Sequence, residues 1–263
     1  FSGLEAIPDI LLMQTAAWRI RSQDLKQLKT KYRELKVINI SMDDRHAYYH
    51  YGKKDMGVYG LLDVIDLALT AAPEAVEWYL KEGVPSVYFP EASSLDFFFP
   101  MNVAKKFDVG FVGARYGNRE KLIRELNHNG IEVTCYGKGW ENGMLALSDT
   151  NEFFNSCKVI LGSGEIGYCK DLYALKLRDF DAALSGTCYA THANIDLKDL
   201  FPADTLVLCS DLDDFVSKIA DILQDDARRE HMARKSFEWA KEHHTYETRF
   251  TSLFATLGVL NGG

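Results

Sequence analysis

The sequence predicts an α/β protein built on a doubly wound parallel sheet. Two observations carry this. Short apolar runs rich in Val, Ile and Leu alternate with amphipathic segments at helical spacing along the whole chain. Strand-to-helix turns bear glycine or capping residues, so the crossovers between strands are helical and neighbouring strands run parallel. A length of 263 residues accommodates one large domain or two small ones.

In chain order, Ile10 to Thr15 reads as a short strand after the Pro8 turn, and Arg21 to Leu35 as a charged surface helix with Leu25, Leu28, Tyr32 and Leu35 on one face. Val37 to Ser41 is the next strand. It runs into the polar cluster Met42-Asp43-Asp44-Arg45-His46, at the kind of strand end where open α/β sheets bind ligands. Leu67 to Thr70 is a strand, Pro73 opens a helix over 74–82 that Gly83 closes, and Ser86 to Phe89 is a strand. An irregular stretch containing Phe97-Phe98-Phe99-Pro100 follows. Strands are then expected at 108–113, 131–136, 158–161, 187–191 and 205–209, and helices at 119–127 and 148–156. Ser210 with Asp213 starts a further helix, and 227–242 and 246–257 close the chain as helices.

One stretch organises the rest: Asp171-Leu-Tyr-Ala-Leu-Lys176-Leu-Arg178-Asp179-Phe180-Asp181, ending at Gly186. It follows the strand Val159 to Leu161 and the loop Gly162-Ser-Gly164-Glu165-Ile-Gly167. Spacing predicts a helix capped at Asp171 and stopped by Gly186. Leu172, Leu175, Phe180 and Ala183 share a face, and Leu177 with Leu184 adds a second apolar stripe, so the helix is expected to be largely buried. Its charges have two readings: i,i+3 pairs between Lys176 and Asp179 and between Arg178 and Asp181, or a cationic site for an anion at the end of a parallel sheet.

The run Lys176-x-Arg178-Asp179-Phe180, with small residues up to Gly186, resembles the signature of the group 1 glycosyltransferase superfamily, and most closely its spore-maturation-type branch, with Asp181 where that pattern has Glu. Gly110-Phe-Val-Gly113-Ala-Arg115-Tyr-Gly117, Tyr136-Gly137-Lys138-Gly139-Trp140, Thr191, His244-Thr245-Tyr246 and Arg249-Phe250 flank it in matching order. The likeness covers about 105–250 well and 35–104 more loosely. It implies a GT-B-like fold: two Rossmann-like domains facing across a cleft, divided near residue 104. Residues 1–104 would form the acceptor-side domain, 105–244 the donor-binding domain, and 245–263 a closing helix packing back on the first. About 100 residues before the division are few for a whole GT-B domain, so the first domain is expected to be incomplete.

The resemblance implies transfer of a sugar from a nucleotide-diphosphate sugar to a carbohydrate, lipid-linked or protein acceptor, with no cofactor and no metal. Lys176 and Arg178 would neutralise the diphosphate as it leaves. Gly113 and Gly137 would bring backbone N–H groups near phosphate, with Arg115 and Lys138 adding charge at two strand ends. Gly164 would let its loop wrap the donor, and Asp181 would take the place of the family's ribose-binding Glu. His46 is a candidate group near the sugar. Many retaining members carry an acid eight positions before the ribose ligand; that place is Tyr173 here, Glu165 is the nearest substitute, and stereochemistry stays open. Two alternatives share the diphosphate site: a GT-B epimerase or hydrolase, and a non-catalytic nucleotide-sugar-binding partner.

A net charge of −8 argues against sequence-independent nucleic-acid binding, which needs a basic surface. The five cysteines are scattered without metal-ligand spacing; three lie in or beside predicted strands or helices, so buried free thiols are expected, which fits a cytoplasmic location. No apolar run approaches the ~18 residues of a membrane span. The Asp43-Asp44 pair has no third acid nearby and is a weak metal candidate.

Overall fold

The computed structural model describes residues 8–258, which divide into two compact units at Pro90–Glu91. In the first, β1 (Ile10–Met13), β2 (Lys36–Ser41), β3 (Leu67–Thr70) and β4 (Ser86–Tyr88) form a parallel sheet in sequential order. The helices α1 (Ser22–Lys31), α2 (Asp44–Ala47) and α3 (Ala75–Lys81) connect them, with two 3₁₀ turns at Lys54–Met56 and Val58–Leu61. Leu25, Leu61, Ala68 and Tyr79 are central in its core.

A buried carboxylate joins three of these elements. Asp44, just beyond β2, accepts hydrogen bonds from the hydroxyls of Ser41 (2.6 Å), Thr70 (2.6 Å) and Tyr79 (2.8 Å). Burial pushes its pKa up to about 6, against the opposing pull of the three hydroxyls. Asp44 is therefore engaged inside the unit, while its neighbour Asp43 is exposed; among the described residues no group of three or more metal-ligating side chains comes together.

In the second unit, β5 (Phe107–Val112), β6 (Val133–Tyr136), β7 (Cys157–Leu161), β8 (Cys188–His192) and β9 (Val207–Cys209) form a parallel sheet in the order β6-β5-β7-β8-β9. Crossover helices α4 (Arg119–His128), α5 (Leu147–Ser156), α6 (Leu177–Leu184) and α7 (Ile195–Leu200) link successive strands, and α8 (Leu212–Gln224), α9 (Asp226–His243) and α10 (Tyr246–Thr256) follow. Two cores result. Leu122, Leu126, Phe215 and Ile219 from α4 and α8 pack on Phe111 and Val159, whereas Phe154, Phe180, Leu184 and Ala240 pack on Ile160 and Tyr189. Helices thus cover both faces, as double winding requires.

Four differences from the sequence reading have physical causes. Helix α6 begins at Leu177, not at Asp171. Residues 162–176 instead fold back on themselves: Ala174 N–H bonds to Gly164 O (2.9 Å), Ile166 N–H to Leu172 O (3.0 Å), and Glu165 bridges Tyr173. Helix α7 was not expected; Asn194 caps it by accepting from Asp196 N–H at 3.1 Å. The next helix is capped by Asp211, which accepts from Asp214 N–H, rather than by Ser210 with Asp213. The contacts also divide the chain at Pro90–Glu91, whereas the division was expected near 104. Residues after 90 are held by the second unit: the amides of Asn151 and Asn155 bind the backbone of Phe99 and Met101, and Phe98 lies 5.7 Å from Phe154.

Four cysteines are buried free thiols and Cys169 is exposed. On α10, Tyr246, Phe250 and Phe254 stack in file and Leu253 is buried, so the expected apolar face is present. Among the described residues no helix is long and apolar enough to cross a membrane.

The Asp44 hub yields the first prediction. A carboxyl whose folded pKa lies above its unfolded value favours the folded state most at low pH, and that contribution is lost as pH rises. Urea unfolding should show Asp44→Asn losing less stability than the parent between about pH 4 and pH 6. Asp44→Ala, which leaves three hydroxyls without their acceptor, should cost about 2–4 kcal/mol. Parallel pH profiles for parent and Asp44→Asn would contradict this account.

Candidate donor-binding site

The strand order reverses between β5 and β7, and the loops leaving those two strands lie at the place where doubly wound sheets bind ligands. The turn after β5 is tied to the turn after β6. Gly113 N–H bonds to Tyr136 O (2.8 Å), Arg115 N–H to Lys138 O (2.9 Å), and the Trp140 indole N–H to Gly113 O (2.8 Å). Glycine is required at Gly137, at φ +132°, because a Cβ there would strike the Gly113 carbonyl.

Arg178 lies beneath this turn. It is 8% exposed, its Nη1 donates to Val112 O, and its guanidinium carbon stands 4.6 Å from the Phe111 ring centre. Nε and Nη2 are buried without a hydrogen-bond partner. Arg119, equally buried, stands beside it: Nη1 donates to Ala114 O (2.9 Å) and the guanidinium lies 4.2 Å from the Tyr116 ring. Burial, with the neighbouring Arg178 charge, lowers the Arg119 pKa. Among the described residues neither arginine has a carboxylate at ion-pair distance. Asp179 and Asp181 feel the Arg178 charge from a distance, but two buried cations without an ion-pair partner are costly, and a bound anion would supply the contact. Because Nε and Nη2 are closed off, direct contact requires the segments around them to move.

The α6 N-terminus adds to this positive end. Lys176 is its N-cap, half-buried, and its backbone N–H bonds to Asp179 Oδ2 at 2.7 Å. Leu177 is half exposed, so the helix end opens to solvent. The Lys176–Asp179 and Arg178–Asp181 ion pairs do not form. Asp179 is buried, takes the Tyr189 hydroxyl as well, and is raised in pKa by burial. Asp181 accepts from Ser93 Oγ at 2.7 Å, and burial pushes its pKa up to about 7. Ser93 in turn pairs with Thr245, and Arg249 donates to Glu91 O, so Asp181 anchors the start of this unit to its last turns.

The remaining expected residues are more dispersed. Arg115 is committed to Glu120 (2.7 Å), whose hydrogen bond raises its pKa, and lies 5.2 Å from the Trp140 ring centre. Lys138 is exposed. Gly164 N–H donates to Nδ1 of His192 (3.3 Å), and Glu165 reaches within 3.8 Å of Nε2 of the same ring. His46 is exposed on α2 in the first unit, 3.7 Å from Asp43. Arg119, Ser93 and His192 were not singled out from sequence. His192, as the last residue of a parallel strand, carried a positional signal.

Residues 118–255, just over half of the chain, match the profile of the glycosyl transferase-like family, and the chain belongs to that family. Among solved structures it resembles Alr3699/HepE from Anabaena in complex with UDP and glucose, at 12% identity and a TM-score of 0.72 over 96% of this chain and 78% of that one. It also resembles sucrose-phosphate synthase from Thermosynechococcus elongatus (13%, 0.68, 96% and 74%) and TarM from S. aureus in complex with UDP (14%, 0.63, 90% and 53%). At such identities these likenesses establish the fold: two parallel-sheet units of the GT-B class. No curated protein matches the sequence significantly.

The turn geometry gives a graded prediction. A Cβ at Gly113 would meet a side-chain atom, Arg178 Nη1, at 2.9 Å, whereas one at Gly137 would meet the Gly113 carbonyl oxygen at 2.3 Å. Gly137→Ala should therefore lower stability by about 1–3 kcal/mol, and Gly113→Ala should be the milder of the two. Thermal unfolding of both variants checks the order; equal or inverted losses would mean that the two turns are not packed as described.

Proposed function

We propose that the chain is a sugar-nucleotide-dependent glycosyltransferase of the spore-maturation-type branch, with the donor's diphosphate at the α6 N-terminus. The observation that carries this is Arg178, buried with two unpartnered donor nitrogens where the loops of β5 and β7 meet. Family membership and the UDP bound in similar folds support the same reading.

Cleaving the bond between the anomeric carbon and the β-phosphate oxygen leaves negative charge on the departing nucleoside diphosphate. Groups that meet this charge more strongly in the transition state than in the ground state accelerate the step. In this reading Lys176, at the open helix end, contacts the diphosphate, with the first-turn N–H groups of α6 beside it. Arg119 supplies a positive field from behind, strengthened by its exclusion from water, and Arg178 turns its unpartnered Nε and Nη2 to the diphosphate when the segments around it move. Gly113 and Gly137 keep the turn backbones close enough for N–H groups to approach phosphate. Asp181 reaches the ribose only after releasing Ser93. A site supplied with this many cations needs no metal, and the acceptor is a carbohydrate, lipid-linked or protein hydroxyl.

Isothermal calorimetry with UDP tests the assignment. Lys176→Ala and Arg178→Lys should each weaken binding roughly 10-fold or more, as loss of a charge-assisted or forked contact does. EDTA should leave the parent affinity unchanged. Unaltered affinity in both variants would remove the diphosphate from this site, and loss of binding on chelation would reinstate a metal.

A further inference from the structure

On the α4 and α8 side of the glycine-bearing loop lies a cleft of about 440 Å³. His192 and Glu165 both line it. The imidazole is 6% exposed, and its Nδ1 accepts the Gly164 N–H, so the ring proton resides on Nε2. Burial lowers the ring's pKa to about 4, which keeps it neutral. Among the described residues Nε2 has no hydrogen-bond partner, and Glu165 Oε2 stands 3.8 Å away, beyond hydrogen-bonding reach.

This leaves an N–H donor and, on a carboxyl that Asn118 also hydrogen-bonds, an acceptor facing each other across a gap. A hydroxyl fits both, accepting from Nε2 and donating to Glu165. An anion would be repelled by Glu165, and a cation would face the Nε2–H. Tyr173 lines the same cleft with its ring centre 5.5 Å from that of His192, which in turn packs edge-on to Phe215 at 4.9 Å. Lys121, Lys170, Asp211 and Asp213 supply further donors and acceptors around it. An aromatic ring beside convergent donors and acceptors suits a polyhydroxylated ring with one apolar face.

We propose that this cleft is a binding site for a neutral saccharide, one hydroxyl bridging His192 and Glu165 and the C–H face of the ring against Tyr173. The site is distinct from the diphosphate contact at Lys176 and does not depend on it, although both adjoin the loop 162–176.

Saturation-transfer NMR and calorimetry of the full chain with glucose, galactose, mannose, N-acetylglucosamine and maltotriose test it, with glucuronate as the charged comparison. At least one neutral sugar should bind and glucuronate should bind more weakly. Tyr173→Ala and Glu165→Ala should each reduce that affinity about 10-fold or more, whereas Tyr173→Phe should retain it. If Glu165→Ala does not fold, Glu165→Gln, which keeps the shape and loses the charge, should still weaken binding. UDP affinity, measured in parallel, separates this site from the donor reading. Sugar binding that is absent for every sugar, unchanged in the variants, or displaced by UDP overturns the proposal, while loss of UDP binding alone does not touch it.

Discussion

A guanidinium buried without a carboxylate is the constraint on which the second unit depends. Arg178 lies over Phe111 and under Gly113, with one nitrogen satisfied by the Val112 carbonyl and two left open. Desolvating a cation this way is unfavourable unless something repays it, and Arg119 beside it compounds the cost. The surroundings are arranged to tolerate the charge. Helix α6 places its positive end at the same spot, the turns after β5 and β6 are glycines in contact, and Asp179 is diverted to Tyr189 and the Lys176 backbone instead of neutralising the arginine. A fold that withholds the nearest carboxylates from a buried cation is one prepared for an anion from outside.

The same arrangement explains why α6 is short. Asp179 captures the Lys176 N–H and closes the helix there, so the chain before it is free to double back through Gly164 and Ala174. That fold-back turns Glu165 and Tyr173 toward His192, and leaves Lys176 at an open helix end. One capping interaction thus separates two sets of polar groups on either side of a single loop. Asp181, tied to Ser93, links this helix to the segment that opens the unit and to Thr245 near its end.

Much of this was legible in the sequence where the signal is local. Strand-helix alternation gave the parallel sheets, because a period of two or 3.6 is visible in a single window. Gly113, Gly137, Lys176 and Arg178 stood out because glycine turns and cations converge at strand ends, a pattern that a tight turn or a self-neutralising helix face also produces. What escaped depends on contacts between distant segments. Leu172 and Leu175 have helical spacing, yet a backbone ladder to Gly164 overrides it. The division at Pro90–Glu91 is set by two asparagine amides on α5 gripping residues 99 and 101, which no composition shift announces. His192 and Ser93 acquire their meaning only through Glu165 and Asp181. The ion pairs anticipated within α6 failed because each aspartate found a hydroxyl partner in a buried setting.

The central claim is that the open hydrogen-bonding capacity of Arg178 belongs to a bound diphosphate. It is tested most directly by following the arginine Nε–Hε resonances of ¹⁵N-labelled protein while UDP is added, with Arg178→Lys identifying the signal. The account predicts that the Arg178 resonance shifts and becomes protected from exchange with the same saturation curve as UDP binding measured calorimetrically. A resonance unmoved at full saturation would show that UDP binds elsewhere and that the buried cation serves the fold alone.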